Sequence, residues 1–217
     1  MSIEQPQKSS PELGKIITYF TDKLEVHGAT PRGVDYNSVE AQEIRFSQLI
    51  NVVDSSQKYS LLDFGSGFGG MYDYLLRIGH NLHYVGYDIA EPMVLKGRDI
   101  HPNNPDCQFT SSLDEIPVLD YGAVSGTFNM KLDVDYDVWT NIVLDALSQI
   151  NNHTTRGFAF NMLTKYSDAD RMAQRPDLYY ADPLFFFDYC KRNFSRNIAL
   201  LHDYEIYDFT ILVRKDI

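Results

Sequence analysis

Four glycines fall within six residues, at positions 65, 67, 69 and 70, and no other stretch restricts the fold of this chain as strongly. Ahead of them Leu61, Leu62 and Phe64, interrupted by Asp63, form an apolar run that reads as a short buried strand. Behind them Met71 to Ile78 carries apolar residues at helical spacing. A strand that enters a helix through glycines needs backbone angles that a Cβ forbids. The same glycines let a ligand approach the main chain closely. A tight turn with no ligand would also satisfy this much.

Two ligand patterns fit the loop. Gly65-x-Gly67-x-x-Gly70 satisfies the dinucleotide fingerprint of a Rossmann-like βαβ unit. Asp63-x-Gly65-x-Gly67-x-Gly69 resembles the loop of the class I S-adenosylmethionine-dependent methyltransferases. Asp63 separates them. A dinucleotide would set its diphosphate against this loop, where a carboxylate two residues ahead of the first glycine is unhelpful. A methyltransferase sets the zwitterionic methionine part of its cofactor there, and a carboxylate attracts the ammonium group.

Leu82 to Ile89 predicts a second strand ending at Asp88, 19 residues after Gly69. Rossmann-like folds put an acidic residue there, because two carboxylate oxygens match the two hydroxyls of a ribose diol. Capping of the helix opened by Ala90-Glu91-Pro92 is the other reading of Asp88, and the two roles are compatible. The resemblance implies S-adenosyl-L-methionine as cofactor, held by Asp63, Gly65, Gly67, Gly69, Asp88 and Ile89. It also implies an adenine contact near Ser112, where the family commonly has Asp. Here the chain departs from the pattern; the Ser112 hydroxyl can accept the same bond and the Leu113 amide can donate to the ring.

The remaining strands are expected at Cys107–Thr110, Tyr121–Asn129 and Gly157–Leu163. Asn197–Asp203 and Tyr207–Arg214 read as a terminal hairpin. Helices are expected from Asp135 through Ile150 and from Pro183 to Phe194, whose three adjacent phenylalanines read as core. A terminal hairpin puts one antiparallel strand into an otherwise parallel sheet, as the methyltransferase version of the Rossmann sheet does and a dinucleotide domain ordinarily does not. The expected fold is α/β, a seven-stranded, mostly parallel Rossmann-like sheet with helices on both faces. The resemblance runs from about Ser60 to Arg214.

Three segments follow along the chain. Residues 1–10 are polar, with no apolar core of a signal peptide, and read as a disordered lead-in. Residues 11–55 read as a helical lid: a helix from Pro11 to about Lys23, a loop from His27 to Tyr36, and a helix capped at Asn37-Ser38-Val39-Glu40 and running to about Val53. Residues 56–217 form the cofactor-binding and catalytic domain. Closure of the His27–Tyr36 loop over a site, or a plain connection between helices, are both compatible with its Gly28, Pro31 and Gly33.

The formal net charge of −11 disfavours phosphate backbones and anionic membranes as partners, and no window approaches a membrane span. The two cysteines, Cys107 and Cys190, have no metal or redox spacing, which suits a reducing, cytoplasmic location. The six histidines have no metal spacing, and no serine elbow or P-loop lysine occurs. An Asn-Pro-Pro-Tyr-like tetrapeptide, the mark of base amino methylation in this superfamily, is absent after the fourth strand. The acceptor is therefore expected to be a small molecule such as a sugar, metabolite or natural-product intermediate. The excursion from Thr164 to Ala181, with Tyr166, Tyr179 and Tyr180, is expected to shape its pocket.

If the resemblance holds, methyl transfer is an in-line attack on an activated sulfonium, so positioning matters most. Strand-end candidates are Asn129 and His202 as catalytic groups and Asn161 as a substrate contact, with Tyr36 and Arg45 reaching in from the lid. Phe128, beside Asn129, falls between cofactor and acceptor. No residue in the chain has to be a catalytic base. A non-catalytic S-adenosylmethionine-binding module, or an NAD-dependent oxidoreductase, are thus the alternatives. The acceptor atom and the oligomeric state are left open.

Overall fold

In a computed structural model the described residues are 10–215, so the lead-in expected over residues 1–10 lies outside them apart from Ser10. Ser10 accepts a hydrogen bond from the Leu13 amide and caps α1 (Pro11–His27), with Pro11 in the first turn where its missing N–H costs nothing. This helix runs four residues past the expected Lys23, to His27, and Gly28 stops it. A short turn over Pro31–Val34 leads to α2 (Val39–Leu49), capped by Ser38 on the Ala41 amide.

The sheet carries β1 (Tyr59–Phe64), β2 (Leu82–Tyr87), β3 (Cys107–Thr110), β4 (Leu119–Val124), β5 (Thr154–Leu163), β6 (Asn197–Leu201) and β7 (Asp208–Arg214). Between them lie α3 (Gly70–Arg77), α4 (Glu91–Ile100), α5 (Tyr136–Asn152), α6 (Ala169–Gln174) and α7 (Pro183–Asn193). The spatial order is β3-β2-β1-β4-β5-β7-β6. Every pairing through β5 is parallel, and β7 runs antiparallel to both β5 and β6. The expected mixed sheet and terminal hairpin are therefore present.

Because both faces are covered, the strands are apolar at successive positions and not merely at alternate ones. Leu61 of β1 faces Met71 and Leu75 of α3 and Leu49 of α2, whereas Leu62 and Phe64 face Trp139, Val143 and Leu147 of α5. Phe186 of α7 joins the α5 side and is fully buried, but Phe185 is exposed and Phe187 only half-buried. The three phenylalanines are thus not all core, since three consecutive helical positions point in different directions. Among the described residues no helix is long and apolar enough to cross a membrane.

The strand order reverses at β1, which pairs with β2 on one side and β4 on the other. Chain connections leave in opposite directions from that point, and a crevice opens beyond the C-terminal strand ends. The loops after β1, β2 and β4 meet there.

Candidate functional site

The loop after β1 is built by positive backbone angles at Gly65 (φ 83°), Gly67 (φ 55°) and Gly69 (φ 97°). A Cβ on Gly65 would stand 2.2 Å from the Thr127 hydroxyl oxygen. Thr127 occupies that space because its hydroxyl donates to the Phe64 carbonyl at 3.1 Å. The loop is laced to the end of β2: the Gly65 and Ser66 amides both donate to the Tyr87 carbonyl, at 2.7 and 3.0 Å. The Gly67 amide donates to Asp88 at 2.8 Å, and the other Asp88 oxygen accepts from the Ala90 amide at 2.9 Å. Asp88 therefore fixes the turn that leads into α4, whose N-cap residue is Ala90 and has no side-chain cap, and staples the glycine loop at once. A carboxylate has about four acceptor sites, so two protein bonds leave room for a hydroxyl pair.

Asp63 points out of β1 into the same crevice and is buried. Its Oδ2 accepts from the Tyr84 hydroxyl at 2.6 Å, and no cation pairs with it among the described residues. Burial pushes its carboxyl up to about 7; the Asp88 charge acts in the same sense and the Tyr84 bond opposes it. Burial also raises Asp88, to about 6, against its two amide donors. A buried carboxylate without a counter-ion is the partner an ammonium group requires. The donor set thus fits an amino-acid end at Asp63 and a diol at Asp88.

One cavity, of about 220 Å³, runs from this loop into the interior. At the glycine end it is bounded by Asp63, Gly65, Gly67, Asp88, Ile89 and Met93, and it continues past Phe128 and Asn129. Trp139 holds Phe128 by donating its indole N–H to the Phe128 carbonyl at 2.9 Å. Asn129 is fixed through two acceptors: its Oδ1 takes the Leu163 amide at 3.0 Å and its carbonyl takes the Tyr179 amide at 2.8 Å. That leaves its side-chain amide nitrogen as a donor in the cavity.

The roof comes from the N-terminal helices. Leu13, Ile16 and Phe20 of α1 line the cavity, and Ile17, Phe20 and Leu24 pack around Phe68 and Met93. Tyr36 reaches down to the end of β4, where its hydroxyl donates to the Ser125 carbonyl at 2.8 Å. The Ser125 hydroxyl lies at the same distance. Burial pushes the Tyr36 phenol up to about 12, so it stays protonated at neutral pH. Arg45 also borders the cavity, but its guanidinium is engaged by Asp208 at the start of β7.

Several expected site residues lie elsewhere. His202 follows β6, exposed beside Tyr166 and Phe209, and does not reach the cavity. Asn161 is fully buried inside β5, where its Oδ1 accepts from the Gly126 amide at 2.8 Å; it holds the loop after β4 without lining the cavity. Ser112 and Leu113 begin a short turn after β3, also outside the cavity wall. Gly69 caps α3 behind the wall, which Gly70 forms instead.

The excursion from Thr164 to Ala181 contributes differently from its expected tyrosine character. Tyr179 is buried with its hydroxyl against Thr140, Tyr166 is exposed, and neither they nor Tyr180 line the cavity. The excursion folds back because the Lys131 and Leu132 amides donate to the Asp177 carbonyl and Met130 bridges Leu178. This brings Arg171, Arg175 and Leu178 to the cavity, together with Trp139 and Ile142 from α5. The sequence reading passed over both arginines. Arg171 lies on α6 and Arg175 directly after its end, so no helical spacing marked the two as a pair.

No protein-family model matches the chain. The Mycobacterium tuberculosis (strain ATCC 25618 / H37Rv) protein Rv1506c, named as a candidate methyltransferase, is 40% identical over 166 residues, which cover 76% of this chain and 99% of the relative. Among solved structures, the N-methyltransferase NodS of Bradyrhizobium japonicum WM9, in complex with S-adenosyl-L-homocysteine, superposes with a TM-score of 0.60 at 11% identity. That match covers 91% of this chain and 97% of NodS. The Burkholderia thailandensis 1,6-didemethyltoxoflavin-N1-methyltransferase, with its acceptor and S-adenosylhomocysteine bound, gives 0.60 at 13% identity, covering 98% of this chain and 93% of that one. At such identities the likeness is one of fold.

Proposed function

This chain belongs to the class I S-adenosylmethionine-dependent methyltransferases, and we propose that it methylates a small-molecule acceptor held in the same cavity as its cofactor. The observation that carries the reading is the continuity of that cavity. It does not close behind the glycine loop but extends past Phe128 and Asn129 to Leu178 and the arginines of the excursion. A concave extension of this kind suits a compact acceptor. The net charge of −11 also works against nucleic acid.

S-adenosylmethionine, when bound, supplies a methyl group already activated on sulfonium. Asp63 would hold the ammonium of its amino-acid end and Asp88 its ribose hydroxyls, with Gly65 and Gly67 giving backbone room between them. Phe128, pinned by Trp139, would pack beside Ile89 against the apolar part of the cofactor. Ser112 and Leu113, outside the cavity wall, would reach only the rim of the adenine.

The side-chain amide of Asn129 would orient the acceptor by donating a hydrogen bond, since its oxygen is already engaged. The protonated Tyr36 phenol cannot serve as a base and instead holds the roof on the Ser125 loop. Roof and apolar walls exclude water, which strengthens the remaining polar contacts and guards the sulfonium. Positioning and desolvation, not proton abstraction, are then the main contributions of the protein.

Calorimetry with S-adenosylmethionine, S-adenosylhomocysteine and NAD tests the cofactor. Binding of the two sulfur ligands without NAD is expected, and binding of NAD alone would overturn the reading. Incubation with methyl-labelled S-adenosylmethionine and extracts separated into small molecules, RNA, DNA and protein tests the acceptor. Label is expected in the small-molecule fraction, and label in a macromolecular fraction would displace that part.

A further inference from the structure

In a chain with a net charge of −11, the cavity lining includes three arginines: Arg45, which is mostly buried, and Arg171 and Arg175, which are exposed on the excursion. Two of them are neutralised. Arg45 is engaged by Asp208, and Arg175 donates through Nη2 to Asp177 at 2.8 Å, with Nε on the same carboxylate. The carboxylate of Asp35, which also borders the cavity, is held by Lys23 at 2.7 Å and the Tyr19 hydroxyl at 3.0 Å. Arg171 is different. Among the described residues its guanidinium makes no ion pair, and it lies 4.7 Å from the centre of the Tyr207 ring.

The Tyr207 platform is itself fixed. Its hydroxyl donates to Asp168 at 2.6 Å, and Asp168 is the residue that precedes α6, the helix carrying Arg171. Ring and helix are thus tied together below the guanidinium. Stacking on an aromatic face takes up the plane of a guanidinium and leaves its edge N–H donors available. The chain has thirty acidic residues, yet none of the described ones forms an ion pair with this arginine. The result is a guanidinium without an ion pair among the described residues, stacked on a fixed ring, at the excursion side of the cavity.

We propose that the acceptor carries an anionic oxygen group, a carboxylate or a phosphate, and that Arg171 recognises it through its guanidinium edge. A planar fork matches either group with two parallel bonds. Arg171 is then a specificity-determining residue, which places the anion at the excursion end and the nucleophilic atom toward Asn129. The inference rests on the reading of this cavity as the acceptor site.

The test uses matched pairs on the full chain saturated with S-adenosylhomocysteine: glucuronate against glucose, glucose 6-phosphate against glucose, and 4-hydroxybenzoate against 4-hydroxybenzamide. Calorimetric titration of each should show at least one anionic member binding about tenfold or more tightly than its neutral partner, the effect of charge-assisted bonds. The uronate and phosphate arms tell the two anions apart. Arg171→Gln should remove that preference while leaving S-adenosylhomocysteine affinity and thermal midpoint unchanged. Equal binding of charged and neutral members, retention of the preference in the variant, or no anionic binding at millimolar concentration would each overturn the inference. Loss of S-adenosylhomocysteine binding by the unaltered protein would instead overturn the function proposed above.

Discussion

Arg45 grips both oxygens of Asp208, Nε to Oδ2 and Nη2 to Oδ1, each at 2.8 Å. The pair fastens α2, part of the roof, to the first residue of β7. Asp208 is fully buried, and the Arg45 side chain is 12% exposed. Arg45→Met should therefore cost about 3–5 kcal/mol, because it leaves a buried carboxylate without its partner. The double variant Arg45→Met/Asp208→Leu should recover most of that loss, since burying a pair of charges has its own desolvation cost. Urea unfolding of both variants measures it. A double variant as unstable as the single one would show that the pair stabilises in its own right.

If Asp63 holds the cofactor ammonium as proposed, cofactor binding should depend on pH. Its carboxyl is near 7 in the folded chain and would be about 4 unfolded. Between those values the folded state holds a proton that the unfolded state has released, so this group lowers stability as pH rises from about 4 to about 7. A bound ammonium favours the ionised form and expels the proton. S-adenosylhomocysteine affinity should consequently rise with pH up to about 7 and level off above it. Calorimetry at about pH 6.5 in phosphate and in imidazole, which both buffer there and differ in ionisation enthalpy, should give different heats, the signature of proton release. Identical heats would remove Asp63 as the titrating group.

Gly65 faces two separate costs if it gains a side chain. Its φ of 83° is disfavoured for alanine by about 1–2 kcal/mol, and the new Cβ would meet Thr127. Gly65→Ala should unfold at a lower temperature and lose S-adenosylhomocysteine binding. Adding Thr127→Gly opens the space but leaves the backbone strain, so it should return part of the stability. No recovery at all would mean that the contact with Thr127 contributes nothing.

The roof should order with the cofactor. Tyr36 holds residues 27–45 to the sheet through Ser125, and closing over a ligand links that contact to occupancy. Hydrogen exchange should slow across residues 27–45 when S-adenosylhomocysteine is added. In Tyr36→Phe the same residues should exchange faster and ligand affinity should fall by about tenfold, the loss of one buried hydrogen bond. Equal protection with and without ligand would discard the lid.

Much of the architecture was legible because local signals agreed. The glycine loop, the strand-end Asp88 and the terminal hairpin each have a short-range pattern, and the structure places all three as that pattern implies. The excursion side of the site had no such pattern. Arg171 and Arg175 reach the cavity through the Lys131, Leu132 and Asp177 backbone bonds, which join segments more than forty residues apart. His202 looked like a candidate by residue type, yet the direction of a hairpin turn took it outside. Asn161 looked like a strand-end donor, and the extra length of the pairing with β7 enclosed it. Long-range pairing decides such positions, and periodicity carries no record of it.

β7 follows β6 in the chain but lies between it and β5, and among the described residues β6 has no other strand neighbour. During translation the ribosome must therefore release residues 208–214 before β6 can join the sheet at all. The same residues bring Asp208, without which Arg45 has nothing to grip. A nascent chain halted before them would hold every glycine of the cofactor loop yet lack the anchor for its roof, so competence to bind should arrive abruptly once they have emerged. Stalled chains of increasing length, probed by limited proteolysis, should show residues 39–49 becoming resistant only after Arg214 has left the exit tunnel.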